Sequence, residues 1–216
     1  MLRSIPKHKW VFDVSSVRIV SGDRHVIHIL GVVGSPRVEG NTERVVAEAL
    51  KAAAEGGAET ELVRLANREI RPCDACLSCR TTGTCSIPDD FLPLFEKMVQ
   101  ADGIILASPV YFGSATPQMK ALIDRAGYLS GAKGRVFENK VGGAIAVARR
   151  AGQNFTFAQL LFFFLHQGMI VPGSTYWNVA FGRNRGDVET DEEGLRTARN
   201  LGTKMVWLLR KLKGEE

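Results

Sequence analysis

Short apolar runs alternate with longer amphipathic stretches along most of the chain. Runs of strand length predict four strands and the start of a fifth, over Val26–Val33, Thr60–Leu65, Gly103–Ala107, Lys140–Val147 and Met169–Val171. The stretches between and after them predict helices from Thr42 to about Glu55, over Asp89–Ala101, from the end of the 108–114 loop through Ala126, and over Asn154–Gln167 and Gly194–Lys213. Strands that alternate with helices predict an α/β fold, with one parallel sheet covered by helices on both faces.

The chain is expected to divide into a short extension and one main domain. Residues 1–25 predict an N-terminal extension, either a β-hairpin that pairs Trp10–Val14 with Val17–Val20 or a partly ordered arm. Residues 26–216 predict the α/β domain, with a cysteine-containing loop at 71–87. No internal repeat or low-complexity linker divides this domain further.

Three loops of small, polar and aromatic residues each follow a predicted strand, at 34–42, 108–114 and 148–153. In doubly wound α/β folds the carboxyl ends of the strands meet at one edge of the sheet, and ligands bind there. We therefore expect the three loops to converge on a single binding crevice.

Composition narrows the class of protein. The 216 residues are 45% hydrophobic and 24% charged, which suits one globular domain with a full core. No apolar run reaches the about 18 residues of a membrane span, and the basic N-terminus lacks the apolar region of a secretory signal. The expected location is cytoplasmic. The run Leu160–Leu165 is expected to pack in the core or in a dimer contact, and Trp177 and Trp207 are expected to be packing residues.

The net charge of +5 and the pI of about 9.2 permit anionic partners such as nucleotides or acidic carrier proteins. Lys and Arg are dispersed along the chain, and no basic motif with interleaved aromatic residues occurs. Binding to nucleic acid is therefore not expected.

The first loop has the chemistry of a phosphate site. A helix N-terminus offers free N–H groups, Ser35 and Thr42 add hydroxyls, Asn41 an amide and Arg37 a full charge, while Gly40 lets the backbone approach an anion. The pattern is neither a Walker A loop nor GxGxxG. A plain turn with Asn41 as helix N-cap is the alternative interpretation.

The segment SPRVEGNT at 35–42 resembles the phosphate-binding loop of the NADPH-dependent FMN reductase family, which has a flavodoxin-like fold. The second loop, SPVYFGS at 108–114, agrees with this resemblance. In that family the second loop lies along the isoalloxazine ring. The resemblance therefore implies a five-stranded, doubly wound sheet, bound FMN, and flavin contacts from Pro109, Val110, Tyr111, Phe112 and Gly113.

The resemblance also places the third loop near the far edge of the flavin, with contacts from Ala148 and Gly152. Arg149 and Arg150 depart from the more Gly-rich loop of many relatives. These two arginines could neutralise reduced flavin, bind a nucleotide phosphate or face solvent.

All four cysteines lie in one short loop, at Cys73, Cys76, Cys79 and Cys85. Such clustering favours metal ligation or thiol chemistry over a disulfide framework. A CxxCxxC run followed by a fourth cysteine suits an iron–sulfur cluster, and four-cysteine zinc or free thiols are the alternatives. Arg71 and Arg80 could stabilise a negatively charged cluster.

The cysteine pattern resembles that of iron–sulfur flavoproteins, a branch of the same family, and the resemblance covers about residues 26–210. It implies a 4Fe–4S cluster that exchanges electrons with FMN, a ferredoxin-type or NAD(P)H donor, a small acceptor such as a quinone, oxygen or peroxide, and a homodimer or homotetramer. Two other interpretations remain open. One is a cluster-free NAD(P)H-dependent FMN or quinone reductase. The other is a redox-sensing or zinc-stabilised binding module without turnover.

Overall fold

A computed structural model describes residues 26–214, so the predicted N-terminal extension lies outside the described residues. The strands are β1 (His28–Val33), β2 (Glu59–Arg64), β3 (Gly103–Pro109), β4 (Val141–Ala148) and β5 (Val179–Phe181). The helices are α1 (Asn41–Glu55), α2 (Ser78–Thr82), α3 (Phe91–Gln100), α4 (Pro117–Ala132), α5 (Gln153–His166) and α6 (Glu192–Leu212). A 3-10 turn at Asp187–Thr190 precedes α6.

The five strands form one all-parallel sheet in the order β2-β1-β3-β4-β5. This is the flavodoxin-like order, in which the chain reverses its direction of winding next to β1. The predicted α/β class, the parallel sheet and the flavodoxin-like topology are confirmed. Helices cover both faces, with α1 and α6 on one side and α3, α4 and α5 on the other.

The predicted fifth strand is wrong. Ile170 makes only an isolated bridge to Val141, and the paired strand is β5, which begins at Val179 opposite Ala146. Pro172 has no N–H to donate to a ladder, so pairing stops soon after Ile170. Pairing resumes between β5 and the carboxyl end of β4. The chain that follows β5 therefore lies at the predicted crevice.

Two helical features differ from the sequence prediction. The helix α4 continues past Ala126, because Leu129 and Ser130 keep its inner face buried. The cysteine loop contains a short helix, α2, that the sequence pattern did not predict. The N-terminus of α4 is as its sequence favours, with Thr116 as N-cap and Pro117 in the first turn.

The apolar run at 160–165 packs partly in the core. Leu160, Phe163 and Phe164 are buried, whereas Phe162 and Leu165 are exposed. Trp177 and Trp207 are each 53% exposed, so the expectation that they are packing residues is wrong. Among the residues that the structure describes, no helix is long and apolar enough to cross a membrane.

Candidate functional site

A cavity of about 300 Å³ opens at the carboxyl ends of the strands, where the three loops were predicted to converge. All three contribute to its wall, together with a fourth segment that follows β5. The lining residues are Ser35, Pro36, Arg37, Asn41, Thr42, Pro109, Val110, Tyr111, Val147, Arg149, Gly182 and Arg183. The fourth segment was missed because its strand was misplaced in the sequence.

The first loop leaves the N-terminus of α1 available to an anion. Gly40, not Asn41, is the N-cap, and no side chain caps the first N–H groups of the helix. Ser35 Oγ accepts a hydrogen bond from Arg37 N at 3.1 Å and so fixes the turn. Arg37 donates to the carbonyl of Arg183 at 3.4 Å. Free N–H groups and nearby guanidinium groups suit a phosphate.

Asn41 is largely occupied by contacts within the protein. Its Nδ2 donates to Asn184 O at 2.7 Å, and its Oδ1 accepts from Gly186 N at 2.9 Å. The sequence predicted Asn41 as a donor to phosphate. In the structure, Asn41 instead binds the segment after β5 and holds it against the crevice.

Glu43, in the first turn of α1, supports the same loop from behind and was missed by the sequence interpretation. Its carboxylate accepts from Glu39 N at 2.8 Å and from Arg64 Nε and Nη2 at 2.8 and 2.6 Å. The hydrogen bonds from Arg64 lower the pKa of Glu43, although burial opposes them. The signal was available, because an acidic residue at this helix position often reaches back to the preceding backbone.

The second loop is tied to the first by the buried side chain of Thr116. Its Oγ1 donates to Gly34 O at 2.7 Å, and its N–H donates to Ser108 Oγ at 3.0 Å. Gln159 from α5 accepts hydrogen bonds from Ala115 N at 2.8 Å and from Ser114 Oγ at 3.0 Å. The two loops and α5 therefore form one rigid wall.

Phe112 and Gly113 lie at the tip of this second loop and outside the cavity wall. Both have left-handed backbone, with φ of 51° and 80°, and the side chain of Phe112 is fully exposed. Pro109, Val110 and Tyr111 form the part of the loop that lines the cavity.

The third loop packs against the second at Gly152. Gly152 has φ of 86°, and a Cβ at this position would lie 2.9 Å from Val110 Cγ1. Ala148 is buried at the end of β4. Arg149 lines the cavity, whereas Arg150 is exposed and is not among the lining residues. Arg37, Arg149 and Arg183 together make the cavity positively charged.

The four cysteines line a single small cavity, together with Arg125 and Tyr128. No disulfide links them. Two residues between the first three cysteines, Ala75 and Leu77, have left-handed backbone with φ of 57° and 60°. The chain therefore changes direction twice within the CxxCxxC segment. Hydrogen bonds with Ser78 and Ser86 lower the pKa of Cys76.

Within residues 26–214, no three His, Cys, Asp or Glu side chains converge closely enough to hold one metal ion. A four-iron cluster binds cysteine thiolates, each through a separate iron. The four thiols that line one cavity, with a guanidinium beside them, are ligands of the type that such a cluster uses.

The fold and the crevice define a class, namely flavodoxin-like α/β proteins with a binding crevice at the topological switch point. The family model described as "NADPH-dependent FMN reductase" matches residues 27–184. The chain is 46% identical over 192 residues to an iron-sulfur flavoprotein of Methanocaldococcus jannaschii, covering 86% of this chain and 98% of that protein. It is 39% identical over 189 residues to an iron-sulfur flavoprotein of Methanosarcina thermophila, covering 84% and 94%.

Among solved structures, RosB with bound 8-demethyl-8-formylriboflavin-5'-phosphate is similar in fold, with a TM-score of 0.70 at 19% identity, covering 88% of this chain and 81% of RosB. The chain belongs to the NADPH-dependent FMN reductase family, in its iron–sulfur flavoprotein branch. It is therefore a flavin-dependent oxidoreductase, and FMN is the cofactor that its family supports.

Proposed function

We propose that this protein transfers electrons from a ferredoxin-type or NAD(P)H donor, by way of a 4Fe–4S cluster and FMN, to a small acceptor such as a quinone, oxygen or peroxide. The observation that carries the proposal is that one chain has both a positively charged crevice at the N-terminus of α1 and four thiols around one cavity. When bound, FMN supplies one- and two-electron redox chemistry, and the cluster supplies single-electron transfer.

The residues of the crevice are proposed to divide the work of binding FMN. The N-terminus of α1, Ser35, Arg37 and Thr42 hold the phosphate, while Gly40 and Asn41 keep that loop in place. The ring is held by the second and third loops, through Pro109, Val110, Tyr111, Phe112, Gly113, Ala148 and Gly152. Arg149 and Arg183, which line the same cavity, add positive charge near the negatively charged cofactor.

Cys73, Cys76, Cys79 and Cys85 are proposed as the four ligands of the cluster. Cys79 and Cys85 are half-buried and packed against the core, and Cys73 and Cys76 are exposed. Two ligands thus anchor the cluster to the domain, and two lie toward the surface, where an electron donor has access.

The test is an absorbance spectrum of anaerobically purified protein, with assays for iron and acid-labile sulfide. Flavin bands with about four irons and four sulfides per FMN are the expected result. Flavin without iron, also after reconstitution with iron and sulfide, would favour a cluster-free NAD(P)H-dependent reductase. The donor is then identified by anaerobic mixing. We expect fast bleaching of the flavin by a reduced ferredoxin and slow bleaching by NADPH or NADH.

We also propose that the protein is a cytoplasmic homodimer or homotetramer and that residues 26–216 form its domain. The family match, which begins at residue 27, supports the division. Three large apolar side chains of α5 support self-association, because Phe155, Phe162 and Leu165 are 75%, 68% and 62% exposed. Light scattering of the purified holoprotein should give a mass of two or four chains of 23.7 kDa, and a single-chain mass would refute self-association.

The replacement Gly182→Ala should weaken FMN binding. A Cβ at this position would lie 2.5 Å from Asn41 Nδ2 and 2.9 Å from Val188 N. The segment after β5 would therefore have to move away from Asn41 and lose its hydrogen bonds to that side chain. We expect the Kd for FMN, measured by quenching of flavin fluorescence, to rise at least about tenfold, or ~1.4 kcal/mol. Gly173→Ala is the control, because a Cβ there meets no atom within 4 Å. Equal Kd values for the two variants would contradict the role given to this segment.

A further inference from the structure

A buried arginine lies directly beneath the cysteine loop. Arg125, from the middle of α4, has a side chain that is only 1% exposed, and the side chain of its partner Asp89 is fully buried. Both terminal nitrogens of its guanidinium donate to the Asp89 carboxylate, and the group lies 4.1 Å from the centre of the Phe91 ring. Burial raises the pKa of Asp89, but hydrogen bonds from Arg125 and from the backbone outweigh it and the pKa lies below its ordinary value.

The same guanidinium closes the base of the cysteine loop. Nη1 donates to Arg71 O at 3.1 Å, before the first cysteine, and Nη2 lies 3.5 Å from Ile87 O, after the last. Asp89 adds a second tie, because its Oδ2 accepts from Arg71 N at 2.8 Å. The two ends of the loop are thus held together by one buried ion pair.

The guanidinium also contacts one of the proposed ligands. Arg125 Nη2 donates to Cys85 Sγ at 3.2 Å, which makes Cys85 the one cysteine with a cationic hydrogen-bond donor among the described contacts. N–H donors to the sulfur atoms of an iron–sulfur cluster stabilise its more negative, reduced state. Because the pair is shielded from solvent, its effect on a neighbouring charge is screened less than that of a surface arginine.

The position of Arg125 links the two halves of the site. It lies nine residues after Thr116, which is about 14 Å along a helix, and Thr116 joins the first and second loops of the crevice. Lys133, just past the end of α4, donates to Gly83 O in the cysteine loop at 3.3 Å. One rigid helix therefore carries contacts to both loop systems.

From these contacts we propose that Arg125 is a positioning residue for the cluster: it holds Cys85 in place as a ligand, and its hydrogen bond to Cys85, together with the charge of the guanidinium, raises the reduction potential of the cluster. This inference rests on the proposed function, since it requires the cluster. It assigns no catalytic step to Arg125. It predicts that the potential responds both to the hydrogen bond between Arg125 and Cys85 and to the charge of the Arg125–Asp89 pair, in addition to any effect on stability.

The test compares Arg125→Lys with wild type as anaerobically purified holoprotein. Lysine keeps the positive charge but lacks the planar guanidinium group. It therefore cannot donate hydrogen bonds to Asp89, the loop carbonyls and Cys85 at the same time. We expect the FMN content to stay the same. The affinity for iron, measured by competition with a chelator, should fall about 10–100-fold. The reduction potential of the cluster that remains should become more negative. Iron and sulfide assays and an EPR-monitored redox titration measure these quantities.

Arg199→Lys is the matched control, because Arg199 also pairs with two carboxylates, Glu48 and Glu55, but lies on the surface of α6. It should change neither iron retention nor potential. Asp89→Asn provides a second variant with the opposite sign, since it removes a negative charge from the same pair. Its cluster potential should shift in the positive direction.

The outcomes separate the inference from the proposed function. Wild-type protein that holds no iron even after reconstitution would overturn the proposed cluster and this inference with it. An iron-loaded wild type whose Arg125→Lys variant keeps the same potential and iron retention would overturn the inference alone. If Arg125→Lys does not fold, Asp89→Asn decides. A positive shift supports the inference, and an unchanged potential overturns it.

Discussion

Replacing Cys76 by serine is expected to remove iron and acid-labile sulfide from the protein while FMN stays bound. A serine hydroxyl does not ionise near neutral pH, so a cluster that needs four thiolate ligands would lack the ligand to one of its irons. Cys76 is exposed, and its side chain contacts Ser86 rather than the core, so the fold should tolerate the change. The crevice proposed to bind FMN is lined by other loops and should be unaffected.

Iron per flavin, measured after anaerobic purification, should fall from about four to near zero in the Cys76→Ser variant. Thr81→Ala is the control in the same loop. Thr81 is exposed on α2 and its hydroxyl donates to Ser78 O within the same helix, so the loss of this hydroxyl should leave the iron content unchanged. A Cys76→Ser variant that kept its full iron content would show that Cys76 is not a ligand.

Replacing Gly202 by alanine is expected to destabilise the whole domain. A Cβ at Gly202 would lie 2.0 Å from the carbonyl oxygen of Ala49 and 2.9 Å from its carbonyl carbon. These are backbone atoms of α1, so no change of side-chain rotamer relieves the clash, and α1 and α6 must separate. Because α1 begins at the phosphate loop, FMN affinity should fall together with stability.

The free energy of unfolding, measured by urea denaturation of Gly202→Ala, should fall by more than about 3 kcal/mol, beyond the usual cost of overpacking. Thr203→Ala is the control, since Thr203 is the next residue of α6 and faces solvent. Its effect should stay within about 0.5 kcal/mol. Similar losses for the two variants would mean that the helices do not pack backbone to backbone at Gly202.

Much of this fold was readable from the sequence, because β1, β3 and β4 are buried strands and therefore form continuous apolar runs. The helices between them made the parallel sheet and its crevice predictable. β5 was misplaced since it has only three residues, Val179–Phe181, and its pairing is decided by the neighbouring end of β4. A run of three residues is too short to show a periodic spacing of apolar positions.

For the candidate site, the sequence by itself determined which loops reach the crevice and which residues offer thiols, hydroxyls or charge, because these follow from residue type and from position after a strand. Only the tertiary structure decided how the side chains are used. It pairs Asn41 with residues 143 and 145 positions away, and Arg125 with Cys85 and Asp89, 40 and 36 positions away. A local pattern does not encode these partners, since a buried polar group is satisfied by whichever distant atom the packing of the sheet and helices brings within reach.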